Sequence, residues 1–170
     1  PPTPPTGRMH ACMPTHGSPL DAYLQPGPTA SLLGRTLRFR TVPGLFSPDR
    51  VDDGTRLLLD HLPSDEPRDV LDLGCGYGAL GLPIAARFPG ARVCCVDRDA
   101  VAAAVCGMNA AANGLTNVET RPSVGHTSAP EGPWDWVLCN VPARIGEQGI
   151  RALVEDGFPR LRPGGEVRVV

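Results

Sequence analysis

Three groups of residues in this chain have the types and spacing to do chemistry. In the first, Asp72 stands two residues ahead of Gly74, Gly76 and Gly78, with Leu73, Cys75 and Tyr77 between them. Alternating glycines permit positive φ and let a ligand lie on bare backbone, while a helix starting behind the loop offers unpaired N–H groups. Gly76, Gly78 and Gly81 also satisfy G-x-G-x-x-G, with Asp97 about 20 residues on, where a dinucleotide site keeps its ribose-binding acid. Asp72 favours a different ligand, because its carboxylate would repel a pyrophosphate and attract an ammonium. Opposite charges ~4 Å apart near a protein surface are worth about 4 kcal/mol. A glycine-rich turn without any ligand is the third reading. The second group is Asp97 itself, a carboxylate at the end of an apolar run that can accept two hydroxyls at once. The third is Asn140-Val141-Pro142-Ala143. There the Asn140 amide oxygen and the Val141 carbonyl can accept the two protons of an amine, and Pro142 fixes the turn without an N–H to compete.

These groups need elements to hold them. Residues 70–73 are apolar around Asp72 and run into glycine, which predicts a buried strand turning sharply into a helix over residues 79–88, stopped by Pro89 and Gly90. A second buried strand is expected over 91–97. Asp99 then caps an alanine-rich helix over 100–112 that ends at Asn113-Gly114. Residues 117–121 read as a weak strand, 134–139 as a further one, 147–158 as a helix, and 166–170 as a last strand after a turn at Pro163, Gly164 and Gly165. Upstream, Leu37 and Phe39 alternate with Arg38 and Arg40 in a half-buried strand starting at Arg35, and residues 49–62 form a helix with Asp52 and Asp53 in its first turn. The alternation predicts an α/β fold: a Rossmann-like, doubly wound, mainly parallel sheet. In such a sheet all C-terminal strand ends share one edge, so the glycine loop, Asp97 and Asn140 are expected to converge there.

At 170 residues the chain is the size of one domain. Residues 1–30 hold repeated prolines and little apolar periodicity, so they are expected to be a disordered tail ahead of a ligand-binding domain over 31–170. The net charge of -2 excludes a uniformly basic surface of the kind many nucleic-acid-binding proteins carry, although a local patch can sit inside a neutral total. All 16 cationic residues are arginine, which we attribute to a GC-rich genome. The six cysteines include no C-x-x-C pair, and Cys94, Cys95 and Cys139 lie in apolar runs, so they are expected to be buried free thiols in a reduced, cytoplasmic setting. His10, Cys12 and His16 match no common metal spacing, and no metal is expected. No segment has the ~20 apolar residues of a membrane span and no signal peptide is visible.

Together with Gly44-Leu45-Phe46-Ser47 and Asp53-Gly54-Thr55, these motifs resemble the small-domain family of class I S-adenosylmethionine (SAM) methyltransferases, whose first motif is D-x-G-x-G-x-G. The family includes bacterial rRNA guanine-N2 methyltransferases and single-domain archaeal relatives, and the likeness runs over residues 33–170. It implies that Asp72, Gly74, Cys75, Gly76, Gly78 and Asp97 bind SAM. It also implies that the 46–55 segment, through Phe46 and Thr55, covers the methionine end. Asn140, Val141 and Pro142 would be the catalytic turn, and the expected substrate is the exocyclic amine of a guanine in rRNA. Two departures stand out. The family's N-P-P-[FY] is here Asn140-Val141-Pro142-Ala143, which lacks the ring that would stack on a target base, a contact worth ~1–3 kcal/mol. The chain also stops at the fifth parallel strand, where relatives continue, so a fragment that self-associates through a bare strand edge is expected. A methyltransferase for a small molecule or a protein amide, and a non-catalytic remnant of the fold, are the alternatives.

Overall fold

The computed structural model describes residues 18–142 and 145–170. Its centre is a five-stranded parallel sheet in the order β5-β4-β3-β6-β7, formed by β3 (Asp69–Leu73), β4 (Arg92–Asp97), β5 (Val118–Pro122), β6 (Trp134–Cys139) and β7 (Leu161–Val169). The order reverses between β3 and β6, and the crevice at that switch point is where open α/β sheets take their ligands. The central strands read as apolar runs because both faces are covered. Alternate residues go to opposite sides. Val70, Val93, Cys95 and Leu138 join one cluster, with Leu58 and Leu59 of α1 (Asp53–Asp60), Leu82 and Ile84 of α2 (Gly81–Arg87), and Val105, Cys106 and Ala110 of α3 (Ala100–Ala112). Leu71, Leu73, Cys94, Val96, Val137 and Cys139 join the other, where Leu153 of α4 (Gly146–Glu155) and Val167 pack.

Two elements agree with expectation residue for residue: α3 with its Asp99 cap, whose side chain accepts the Val101 N–H, and β6. The expected disorder of residues 1–30 is corrected from Ser18 on. A short 3-10 turn (Pro19–Tyr23) leads into β1 (Gln25–Leu32), which pairs antiparallel with β2 (Arg35–Thr41). Prolines do not prevent this strand, because β1 has a single partner strand and a register shift between Pro26 and Thr29 absorbs Gly27 and Pro28. Only Ala30 and Leu32 of β1 are buried, so it lacks the alternation that marked β2. Residues 1–17, which hold His10, Cys12 and His16, lie outside the described residues, as does Ala143.

The free edge of β2 is closed by a helix. Asn109 of α3 and Asn113, its C-cap one turn on, each place an amide against the strand. Asn109 accepts the Arg40 N–H at 2.8 Å and donates to Arg40 O at 2.8 Å, and Asn113 does the same for Arg38 at 3.0 and 2.8 Å. Four residues along a helix advance ~6 Å and two along a strand ~6.7 Å, so the two repeats match closely enough for this ladder.

Two further boundaries shift. Helix α1 begins at Asp53 rather than near residue 49, since Asp52 is its N-cap. Strand β7 begins at Leu161, and the expected turn at residues 163–165 is a bulge inside it, between the pairs Trp134↔Leu161 and Trp136↔Glu166. Cys75, Cys94, Cys95, Cys106 and Cys139 are free and buried. Among the described residues no helix is long and apolar enough to cross a membrane, and no group of His, Cys, Asp or Glu could hold a metal ion.

Candidate active site

The loop after β3 is held on β4: the N–H groups of Gly74 and Cys75 both donate to Val96 O, at 2.8 and 3.0 Å, and Gly78 N–H closes a turn onto Cys75 O at 2.8 Å. Gly74, Gly76 and Gly78 have φ of +75°, +55° and +99°, a region that side-chain-bearing residues avoid. The three serve different ends. A Cβ at Gly74 or Gly76 would meet nothing within 4 Å, so this side of the loop is open for a ligand to lie on. A Cβ at Gly78 would sit 2.7 Å from Leu82 and 3.0 Å from Cys106 Sγ, so that glycine lets the helices close up. The Cys75 side chain is buried, which leaves only its main chain to face a ligand.

Asp97, at the end of β4, is fixed by the same loop. Its Oδ2 accepts the Gly76 N–H and its Oδ1 the Asp99 N–H, each at 2.9 Å. A carboxylate has about four acceptor positions, so one on each oxygen remains for a pair of hydroxyls.

Asp72 does not stand at the mouth of the loop. It is 1% exposed, and its Oδ2 accepts the Gly81 N–H at the start of α2, 2.9 Å away. Gly81 has to be glycine, since a Cβ there would lie 2.9 Å from that oxygen and 2.5 Å from Cys95 Sγ. Burial pushes the Asp72 carboxyl up to about 7, with the Gly81 N–H opposing the shift and the Asp97 carboxylate adding to it.

Asn140 follows β6 directly, and its amide is anchored by α1. Its Nδ2 donates to Asp52 Oδ2 at 2.8 Å and to Thr55 Oγ1 at 3.0 Å. Thr55 is therefore a buried support for Asn140, while Phe46 is 68% exposed. Val141 donates its N–H to Val170 O at 2.8 Å, and Pro142 O accepts the Ile145 N–H at 3.0 Å, so the Asn140-Val141-Pro142 turn is held on both sides.

Two contributors are not evident in the sequence as site residues. Asp52 reads there only as a charge in a helix's first turn. Asn109, a polar residue on the buried side of an alanine-rich helix, is fully buried and donates to Tyr77 O of the glycine loop at 2.9 Å. A polar residue in an otherwise apolar helix face was the available signal.

The fold and this rim define an α/β domain of the class that binds a nucleoside-bearing ligand at the switch point of a parallel sheet. The chain belongs to the methyltransferase small domain family, whose pattern it matches over residues 36–170. It is 40% identical over 138 residues to the ribosomal RNA small subunit methyltransferase C of Pseudomonas entomophila, covering 79% of this chain and 41% of that protein. It is 37% identical over 146 residues to the ribosomal RNA large subunit methyltransferase G of Photobacterium profundum, covering 79% of this chain and 38% of that one. The chain thus spans about two fifths of the length of these relatives. Among solved structures it resembles the 16S rRNA N2 methyltransferase of T. thermophilus, solved with AdoMet and guanosine, with a TM-score of 0.76 and 32% identity over 89% of this chain and 43% of that chain.

Proposed function

We propose that this domain is a SAM-dependent N-methyltransferase that acts on the exocyclic amine of a guanine in rRNA. The observation that carries it is the convergence on one sheet edge of an open glycine loop, a carboxylate with two spare acceptor positions, and an amide held at the end of β6. The residues fit the cofactor: Gly74, Gly76 and the main chain of Cys75 supply bare backbone, with Gly78 letting the helix behind them close up, and Asp97 suits the two ribose hydroxyls. Asp72, at 1% exposure, contributes an ordered α2 behind the loop rather than a direct bond to the methionine ammonium. Exposed Phe46 lies on the segment expected to cover the methionine end, while buried Thr55 acts through Asn140.

Bound on this loop, SAM would supply an electrophilic methyl group for the lone pair of the amine. The chain's own part is placement, which carries most of the acceleration in an in-line displacement. Asn140 Oδ1 and the Val141 carbonyl accept the amine protons and aim its lone pair, and Pro142 keeps the turn rigid.

The RNA reading is supported by the relatives' activities and by charge. From Ala22 to Pro48 the chain has three arginines and no acid. Arg38 and Arg40 are exposed on the outer face of the β1-β2 hairpin opposite Thr29 and Pro26, and no ion pair among the described residues uses them. An rRNA substrate puts the protein in the cytoplasm. A small-molecule or protein-amide acceptor is the second reading, favoured by Ala143 in place of an aromatic ring. Titration calorimetry with SAM and with NAD, followed by transfer of labelled methyl to total RNA, tests the proposal. SAM binding with label in rRNA is expected; NAD binding, or label only in protein or small molecules, would overturn it.

A further inference from the structure

Asp52 and Asn140 are 88 residues apart, yet one oxygen of Asp52 organises the end of β6. Asp52 Oδ2 accepts three N–H groups: Gly54 at 2.9 Å, Thr55 at 3.3 Å and Asn140 Nδ2 at 2.8 Å. The first two make Asp52 the N-cap of α1. The third goes beyond capping. An amide can be turned either way, but a carboxylate only accepts, so the reverse orientation of Asn140 would set two acceptor oxygens 2.8 Å apart. Asp52 therefore dictates that Nδ2 faces α1 and Oδ1 faces away from it, and Thr55 Oγ1, 3.0 Å from the same Nδ2, accepts from it in that orientation. Gly54 is closely packed there: a Cβ on it would lie 3.0 Å from Asp52 Oδ2 and 3.2 Å from Val170 Cγ1, so a bare backbone lets the cap and Val170 approach the helix start. None of the ion pairs among the described residues uses Asp52, so its charge is not neutralised by an arginine there.

We infer that Asp52 is a positioning residue for the methyl acceptor: it locks the Asn140 amide with its oxygen toward the substrate amine, and its charge, transmitted through the polarised amide, makes that oxygen a stronger acceptor. This rests on the methyltransferase reading above. Donating to a carboxylate shifts electron density within an amide toward its oxygen, the cooperative strengthening seen in chains of hydrogen bonds. As the amine nitrogen becomes bonded to the methyl it gains positive charge, so its N–H bond to Oδ1 strengthens in the transition state more than in the bound substrate. Interactions of that kind raise turnover rather than affinity.

Two substitutions separate this role from capping. Asp52→Ser keeps a capping side chain but is too short to reach Asn140. Asp52→Asn keeps the shape and an acceptor for the cap while removing the charge. The side-chain amide resonances of Asn140 in the cofactor-free protein, SAM affinity, thermal midpoint and turnover on RNA are measured together. For Asp52→Ser we expect a midpoint within a few degrees of the parent, SAM affinity within about twofold, Asn140 amide resonances moved toward free-amide positions, and turnover down at least tenfold. For Asp52→Asn we expect ordered Asn140 resonances with turnover lowered and KM unchanged. Unaltered Asn140 resonances or parental turnover in Asp52→Ser would overturn the inference, as would a loss of SAM affinity that accounts for the lost turnover. A parent protein inactive on RNA would instead count against the proposed substrate, and the Asn140 resonances would still decide the positioning role.

Discussion

The carboxylate of Asp72 accepts the backbone N–H of Gly81 at 2.9 Å inside the sheet-helix interface. The bond joins the end of β3 to the first residue of α2, so the two limbs of the glycine loop are clamped whether or not a ligand is present. Burial has raised this carboxyl from its ordinary 3.8 to about 7 in the folded chain. A raised folded value means that the stabilising contribution is complete below about 4 and is lost as pH rises toward 7. At ~1.4 kcal/mol per unit the loss approaches about 4 kcal/mol as a ceiling. His126 runs the other way, because burial lowers its value, so the comparison has to be made against a variant. Urea unfolding at pH 5, 6, 7 and 8 should show a fall in stability that is markedly smaller in Asp72→Asn, which keeps an acceptor for Gly81. Parallel curves for the two proteins would mean that Asp72 is not the group responsible.

Asp97 and Asn140 should fail in different ways. Asp97→Ala removes the acceptor for the ribose hydroxyls and releases Gly76 N–H, and we expect SAM binding to weaken by about 1–3 kcal/mol, the scale of a lost bond to a charged group. Asn140→Ala leaves the loop intact, so SAM affinity should hold while turnover at saturating cofactor drops. Calorimetry and steady-state assays on the two variants check this, and the reverse pattern would exchange the roles.

If the hairpin face carries the RNA backbone, reversing its charge should act on salt dependence before anything else. Each lost phosphate contact lowers the slope of log K against log salt by roughly 0.7–0.9. Arg38→Glu and Arg40→Glu together should therefore flatten the slope by between one and two, with SAM affinity unchanged. Filter binding of an rRNA fragment from 50 to 300 mM salt is the measurement, and a slope equal to the parent's would remove this face from the RNA site.

Strand β7 lies at the edge of the five-stranded sheet, with Val169 and Val170 at 40% and 38% exposure. Unpaired backbone groups beside apolar side chains are a template for another chain. Sedimentation of the 170-residue chain from 1 to 50 µM should show concentration-dependent association. Arg or Pro substituted at Val169 should suppress it, and a monomer across that range would show the edge to be blunted.

Much of the arrangement is legible in the residues. The apolar runs ending in Asp72, Asp97 and Asn140 identify parallel strands, because buried strands need no alternation, and parallel strands bring their ends together. The register within them is not legible: whether a carboxylate near a strand's end faces the ligand or the helix behind it depends on which neighbour sits opposite, and Asp72 faces Gly81. The β1 strand was hidden because two prolines and a glycine interrupt its first half and two buried residues make no period. Asp52 was hidden because a helix cap looks the same in sequence whether or not a distant amide shares its oxygen.

The asparagine pair on α3 gives the hairpin something that strand pairing alone does not. Asn109 and Asn113 imitate two rungs of a missing strand, so the backbone of β2 is saturated at Arg38 and Arg40 by a helix that belongs to the same core. An incoming chain finds no docking rail along that stretch, and a cut at the Leu33-Gly34 turn would leave β2 still fastened to the body of the domain by four amide hydrogen bonds. Because Asn109 also donates to Tyr77 O, the arginine face and the glycine loop are mounted on one rigid frame. A strand of RNA resting on that face would meet a fixed wall, at a set distance from the methyl donor.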